Sequence, residues 1–143
     1  MSNQTVKRAF AQDIAMRFLG TFYTWGGDDP SGMDCSGFVN EVLQSVGVLP
    51  RKGDWTAQDL YDKFPKVDIA RSGCLVFWFN NDKTKIIHVE YCITDDLSIG
   101  ASGGGSNTLT KEDAIKQNAF IKVRPFNSRP NRATFFVDPF LTI

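Results

Sequence analysis

Along the first segment of the chain, Val6, Phe10, Ile14 and Phe18 recur every fourth residue among charged and amide side chains, and Gly20 follows. That period predicts an amphipathic helix over residues 5–19. Residues 20–34 break the pattern with Thr24-Trp25-Gly26-Gly27, Asp28-Asp29-Pro30 and Met33-Asp34, and read as a loop. A second helix is predicted from about Cys35 to Val46. It puts Phe38, Val39, Val42, Leu43 and Val46 on one side, with Gly47 placed as its C-terminal cap. Thr56 and Asp59 have capping-box spacing at the head of a short helix that reaches Phe64. The period then changes to that of strands. Cys74 to Phe79 is a continuous β-favouring run, Ile86 to Ile93 a second, and Leu97 to Ala101 a third that pairs back across Thr94-Asp95-Asp96. Thr110 and Asp113 again mark a helix start, for residues 111–118, before strands at Phe120–Phe126 and Thr134–Val137. Helices first and strands afterwards predict an α+β domain with an antiparallel sheet.

Composition narrows what such a domain does. The 143 residues are expected to form one domain, 1–143, and an apolar content of 42% with 12 Phe supports a packed core. Sixteen Lys and Arg balance sixteen Asp and Glu, which removes the main electrostatic drive towards nucleic acid. No apolar run approaches the roughly 20 residues of a membrane span. The N-terminal segment, interrupted by Lys7, Arg8, Gln12, Asp13 and Arg17, does not read as a signal peptide, so the expectation is cytoplasmic synthesis. Cys35, Cys74 and Cys92 lack C-x-x-C spacing and read as free thiols. The single histidine excludes a His-rich metal site and assigns any imidazole chemistry to His88.

Asp34-Cys35-Ser36-Gly37 lies where the loop meets the second helix. A thiol there feels the positive end of the helix dipole, and the unpaired N–H groups beside it suit an oxyanion. The plainer reading is a small residue that starts a helix. In Ile86-Ile87-His88-Val89-Glu90-Tyr91-Cys92-Ile93, alternation assigns Ile87, Val89, Tyr91 and Ile93 to the core. His88, Glu90 and Cys92 then share the other face. His88 is either a structural histidine or the base a reactive thiol requires.

Tyr23-Thr24-Trp25-Gly26-Gly27, Asp34-Cys35-Ser36-Gly37-Phe38-Val39, Gly73-Cys74-Leu75-Val76-Phe77-Trp78 and His88-Val89 together resemble the successive motifs of the NlpC-type cell-wall cysteine peptidases, over residues 8 to 102. The resemblance implies a reduced papain-like fold, helices on a small antiparallel sheet, and cleavage of peptidoglycan stem peptides at amide bonds next to D-glutamate and diaminopimelate. It implies no metal or other cofactor. Carried over, Cys35 matches the nucleophile, His88 the general base and Tyr23 the tyrosine near the oxyanion. Asp34 and Ser36 match positions that bind the free amino end of the peptide. Trp25, Gly26 and Gly27 belong to the substrate groove, where glycines permit close backbone approach.

Three positions depart from that pattern. The polar third residue expected twelve positions beyond the base is Gly100, and the glycine expected two positions beyond it is Glu90. Either Glu90 orients His88 in space that Gly100 leaves across the hairpin, or Glu90 faces solvent and a Gly100 carbonyl meets the ring. Cys74 replaces an aspartate without consequence for the chemistry. The Ser102–Asn107 loop reads as a turn, with lining the cleft as the other option. Six basic residues, Lys111, Lys116, Lys122, Arg124, Arg129 and Arg132, against Glu112 and Asp113, read as a solvated face, with affinity for anionic wall polymers as the other option.

The expectation is a monomeric cysteine peptidase or amidase acting on a peptidoglycan stem peptide, with no nucleic-acid or membrane partner. Other machinery, such as a phage tail, lysis system or secretion apparatus, would deliver it to the wall. The alternatives are a non-catalytic structural or wall-binding module on the same fold and a Cys/His amidohydrolase effector with another amide substrate.

Overall fold

A computed structural model describes residues 2–29, 32–128 and 134–142. Helix α1 spans Asn3–Arg17, α2 Cys35–Ser45, α3 Ala57–Lys63 and α4 Lys111–Gln117. Both expected capping boxes form: Thr56 with Asp59 starts α3, and Thr110 with Asp113 starts α4. After α2 the chain turns at Gly47, whose φ of +77° needs a residue without a Cβ.

Strands β1 (Asp28–Asp29) and β2 (Gly32–Met33) make a small antiparallel pair inside the segment expected to be loop; Pro30 lies outside the described residues. The main sheet contains β3 (Lys66–Val67), β4 (Leu75–Phe79), β5 (Ile86–Cys92), β6 (Leu97–Ser102), β7 (Phe120–Pro125) and β8 (Thr134–Val137). Their order is β3-β8-β4-β5-β6-β7, and every neighbouring pair is antiparallel. The α+β class and the antiparallel sheet are therefore as predicted.

Strand β4 shows why its apolar run does not alternate. Leu75 and Phe77 enter the main core with Phe38, Val39, Val42 and Leu43 of α2, while Cys74, Val76 and Trp78 enter a second cluster with Cys92 and Phe126. Both faces are covered, so both carry apolar side chains.

Two expectations fail here. The stripe Val6, Phe10, Ile14 does not face the core: Phe10 is 59% exposed, and the stripe lines an open surface groove with Val46. The face that packs carries Ala11 and Ala15, whose small side chains allow close approach, together with Arg8. Arg8 is buried because its guanidinium lies 2.7 Å from Asp138, donates to the Ser72 carbonyl and stacks over Phe140. In β5, Ile87 is 41% exposed instead of buried. Trp78 pairs with His88 but Phe79 pairs with Ile86, so Ile87 is the extra residue of a bulge. The bulge reverses the alternation, gives Ile86 to the core and turns Ile87 outwards.

Candidate active site

Cys35 opens α2 and is half-buried. The residue before it caps the helix: Asp34 Oδ1 accepts from the Gly37 N–H at 2.7 Å, and Ser36 Oγ lies 3.4 Å away. Asp34 Oδ2 accepts from the Gly26 N–H at 3.0 Å. One carboxylate thus fastens the Trp25-Gly26-Gly27 turn to the start of the cysteine helix. Burial raises the Asp34 pKa, against the hydrogen bonds from Gly37 and Gly26, and the negative charge of Asp54 adds to the rise. Behind Cys35 three backbones touch. A Cβ on Gly27 would stand 2.9 Å from the Gly32 carbonyl carbon; one on Gly37 would stand 2.9 Å from Asp34 Oδ1 and closer still to the Gly27 oxygen. Gly26 needs its glycine for another reason, a φ of +73° with open space around it.

Across the cleft, His88 is the first residue after the β5 bulge and is 7% exposed. Its Nε2 lies 2.6 Å from Glu90 Oε2, and its ring faces the same cleft as Cys35. With Nε2 occupied, Nδ1 is the nitrogen left for the thiol. Glu90 is fully buried. Its Oε1 accepts from Ser98 Oγ at 2.8 Å, and the Arg124 guanidinium stands 3.6 Å from Oε2. Burial opposes charge on His88, but the nearby Cys35 and Glu90 outweigh it and raise its pKa above the ordinary imidazole value. Burial likewise opposes charge on Glu90, but His88, Ser98 and Arg124 outweigh it and hold the pKa below the usual carboxylate range.

Tyr23 completes the constellation. Its backbone N–H donates to Ala119 at 3.0 Å, which fixes the segment against β7. Its ring is 5% exposed, and a Cβ on Gly104 would stand 2.8 Å from Cε1. Burial, with the charges of Cys35 and Asp34 nearby, raises the phenol pKa, so Tyr23 keeps its proton and remains a donor. The N–H groups of Cys35 and Ser36, ahead of the Gly37 N–H that Asp34 caps, are the donors that a helix start leaves without an intrahelical partner. Together they can hold an oxyanion beside the Cys35 sulfur.

The cleft between these walls has a volume of about 330 Å³. Of the residues expected from the sequence, Tyr23, Trp25, Asp34, Cys35, Ser36 and His88 line it. Gly26, Gly27 and Gly100 do not: the first two serve the turn and the packing behind Cys35, and Gly100 faces Glu90. Glu90 sits behind His88, not in solvent. Sequence reasoning did not single out Lys85 or the cleft-facing Ile87, and it favoured a plain turn where Gly104 and Gly105 line the wall. It also missed Ser98, and it placed Arg124 on a solvated face; Arg129 and Arg132 of that group lie outside the described residues. Among the described residues no three His, Cys, Asp or Glu side chains converge as metal ligands would.

The family profile described as NlpC/P60 matches residues 20–125 of this chain. Protein P54 of Enterococcus faecium is 46% identical over 95 residues, covering 65% of this chain and 18% of that protein. The gamma-D-glutamyl-L-lysine dipeptidyl-peptidase of Bacillus subtilis is 29% identical over 125 residues, covering 82% of this chain and 42% of the relative. The chain therefore spans less than half the length of these relatives. Among solved structures, the NlpC/p60 domain of the peptidoglycan hydrolase SagA superposes with a TM-score of 0.67 at 26% identity, covering 92% of this chain and 97% of that domain. With a profile match across the cysteine helix, the histidine strand and the hairpin behind it, the chain belongs to the NlpC/P60 family.

Proposed function

We propose that this chain is a cysteine peptidase that hydrolyses an amide bond of peptidoglycan stem peptides through a thioester. The observation that carries the reading is that Cys35, at a helix start, shares one open cleft with the one imidazole of the chain. Two of the names above agree with it, since they describe a dipeptidyl-peptidase and a peptidoglycan hydrolase.

Cys35 Sγ adds to the substrate carbonyl carbon as its proton resides on His88, and the oxyanion is held by Tyr23 and the α2 N–H groups. The C–N bond breaks as His88 gives that proton to the leaving amine, and a thioester remains. Water, deprotonated by His88, adds to the thioester; the C–S bond breaks, and carboxylic acid and thiol are restored. The Asp34 end of the cleft, with Asp54 near it, has negative potential suited to a peptide ammonium group. Trp25 and Ile87 offer apolar walls. A γ-D-glutamyl bond is the proposed scissile class, in keeping with the name of the Bacillus relative.

The test is mass spectrometry of fragments released from purified peptidoglycan. Wild-type protein should release stem-peptide fragments, with or without a metal chelator, and Cys35→Ala should release none. Equal release by Cys35→Ala would remove the thioester from the mechanism.

A further inference from the structure

We infer that Glu90 is the positioning residue for His88, supplied from the histidine's own strand, and that Gly100 is a glycine because the Glu90 side chain occupies its place. The inference rests on the reading of His88 as the base for Cys35, and it deepens that reading.

Four observations support it. His88 Nε2 and Glu90 Oε2 are 2.6 Å apart, a charge-assisted distance, with both side chains buried. A fully buried carboxylate is costly unless it is paired. This one is held from two further strands, by Ser98 Oγ of β6 at 2.8 Å and by the Arg124 guanidinium of β7 at 3.6 Å. The register, Tyr91 to Ile99 and Cys92 to Ser98, places Glu90 opposite Gly100. A Cβ at position 100 would stand 2.8 Å from Glu90 Cδ and nearer still to Cγ. A side chain at position 100 and the glutamate at position 90 therefore exclude each other. Where the resemblance leads one to expect glycine at 90 and a polar side chain at 100, both are exchanged, and the same volume is filled from the opposite strand.

The exchange changes the chemistry as well as the packing. A carboxylate on Nε2 favours the imidazolium, so His88 is set to hold the Cys35 proton. The other groups around the pair are the Trp78 ring of β4, centred 5.2 Å from the imidazole, Lys122 and Arg124 of β7, Cys92 of β5, and Lys85 at the cleft mouth. None of the others replaces the acceptor on Nε2.

Because His88 is the only histidine, its imidazole resonances are unambiguous, and its titration can be followed by NMR without reference to any substrate. Glu90→Gln should move the His88 midpoint down, towards the free value of about 6.5. It should lower kcat about tenfold or more while KM is held, and shift the basic limb of the pH profile down with the NMR midpoint. Exchange of the pair gives a second measurement should Glu90→Gln fold poorly. Gly100→His alone should lose activity through the clash, and Glu90→Gly with Gly100→His should regain about tenfold over Glu90→Gly. An unmoved His88 titration together with unchanged kcat in Glu90→Gln would overturn the inference, as would a folded double variant no better than Glu90→Gly. Either result leaves the peptidase reading to Cys35→Ala. Conversely, a Cys35→Ala protein that still releases fragments retires the peptidase reading, while the His88 midpoint still reports on Glu90.

Discussion

On the Cys35 side of the cleft the polar contacts run mostly to backbone: Asp34 takes the N–H groups of Gly37 and Gly26, and Gly27, Gly32 and Gly37 let three chain segments touch. On the His88 side they run between side chains, from His88 to Glu90, from Glu90 to Ser98, and across to Arg124. The first wall positions a nucleophile by fixing where the chain goes. The second positions a base by surrounding it with charge. A substitution in the first should act through sterics and cost the fold, whereas one in the second should act through protonation and alter the pH response.

The largest contrast between the walls is expected from their sulfurs. Cys35 opens on the cleft, while Cys92 is fully buried on the Glu90 face of β5. Burial raises the Cys92 thiol pKa, with Cys74 and Glu90 adding to the rise, and burial raises that of Cys74 too. A maleimide at neutral pH should label Cys35 in the native protein at least about a hundredfold faster than the other two, which must wait for an opening of the sheet. All three should react in denaturant. Peptide mapping by mass spectrometry reads the sites. Comparable native rates at Cys35 and Cys92 would show that the histidine wall is not closed as described.

Next in size is the steric failure of the cysteine wall. In an ordinary helix Gly→Ala gains about 1 kcal/mol. At Gly37 the added methyl would press on the Gly27 carbonyl and Asp34 Oδ1, both held in place by hydrogen bonds of their own. Gly37→Ala should therefore lose about 3 kcal/mol or more in chemical denaturation, against the sign of its propensity. A gain would mean that the Gly27 turn does not lie against the helix.

The two walls also differ in how far the sequence reveals them. The cysteine wall is local in the chain: Asp34 caps the helix that Cys35 starts, and the turn it holds begins eight residues earlier at Gly26. Capping and turn chemistry over such spans leave direct signals. The histidine position was legible because one imidazole had to serve, and the i, i+2 spacing of His88 and Glu90 put them on one face. The partners from other strands were not. Ser98 and Arg124 reach Glu90 only through the β5–β6–β7 register, and Arg124 in isolation reads as one more surface charge. Ile87 was misassigned because a bulge is a property of two strands, visible only when Phe79 and Trp78 choose their partners. The α1 stripe misled for a similar reason. Its buried face is selected by the approach of Ala11 and Ala15 and by an Arg8–Asp138 pair 130 residues apart in the chain, and helical periodicity records neither.

The smallest effect expected is at the back of the histidine wall, and it tests whether charge is what that wall holds. Ser98→Ala removes the hydroxyl that donates to Glu90 Oε1 but leaves His88 and Arg124 in place. A hydrogen bond to a charged group contributes about 1.5–3 kcal/mol, and the lower end is expected here because other partners remain. The sign of the pH dependence follows from the direction of the Glu90 shift. Its folded pKa lies below the unfolded value of about 4.3, so its contribution is fully present above that value and is lost as pH falls through the folded pKa. His88 works in the opposite direction: its folded pKa is raised, so its contribution is present below about 6.5 and is lost as pH rises through the folded value. Ser98 stabilises the ionised form of Glu90. The wild-type advantage over Ser98→Ala should therefore be largest at neutral pH and shrink below about pH 4, where a neutral acid offers the hydroxyl a weaker acceptor. Denaturation midpoints for both proteins across that range measure it. An advantage that stays level with pH would make Ser98 a packing contact, and the histidine wall would then be held by the shape of its side chains as the cysteine wall is by its backbone.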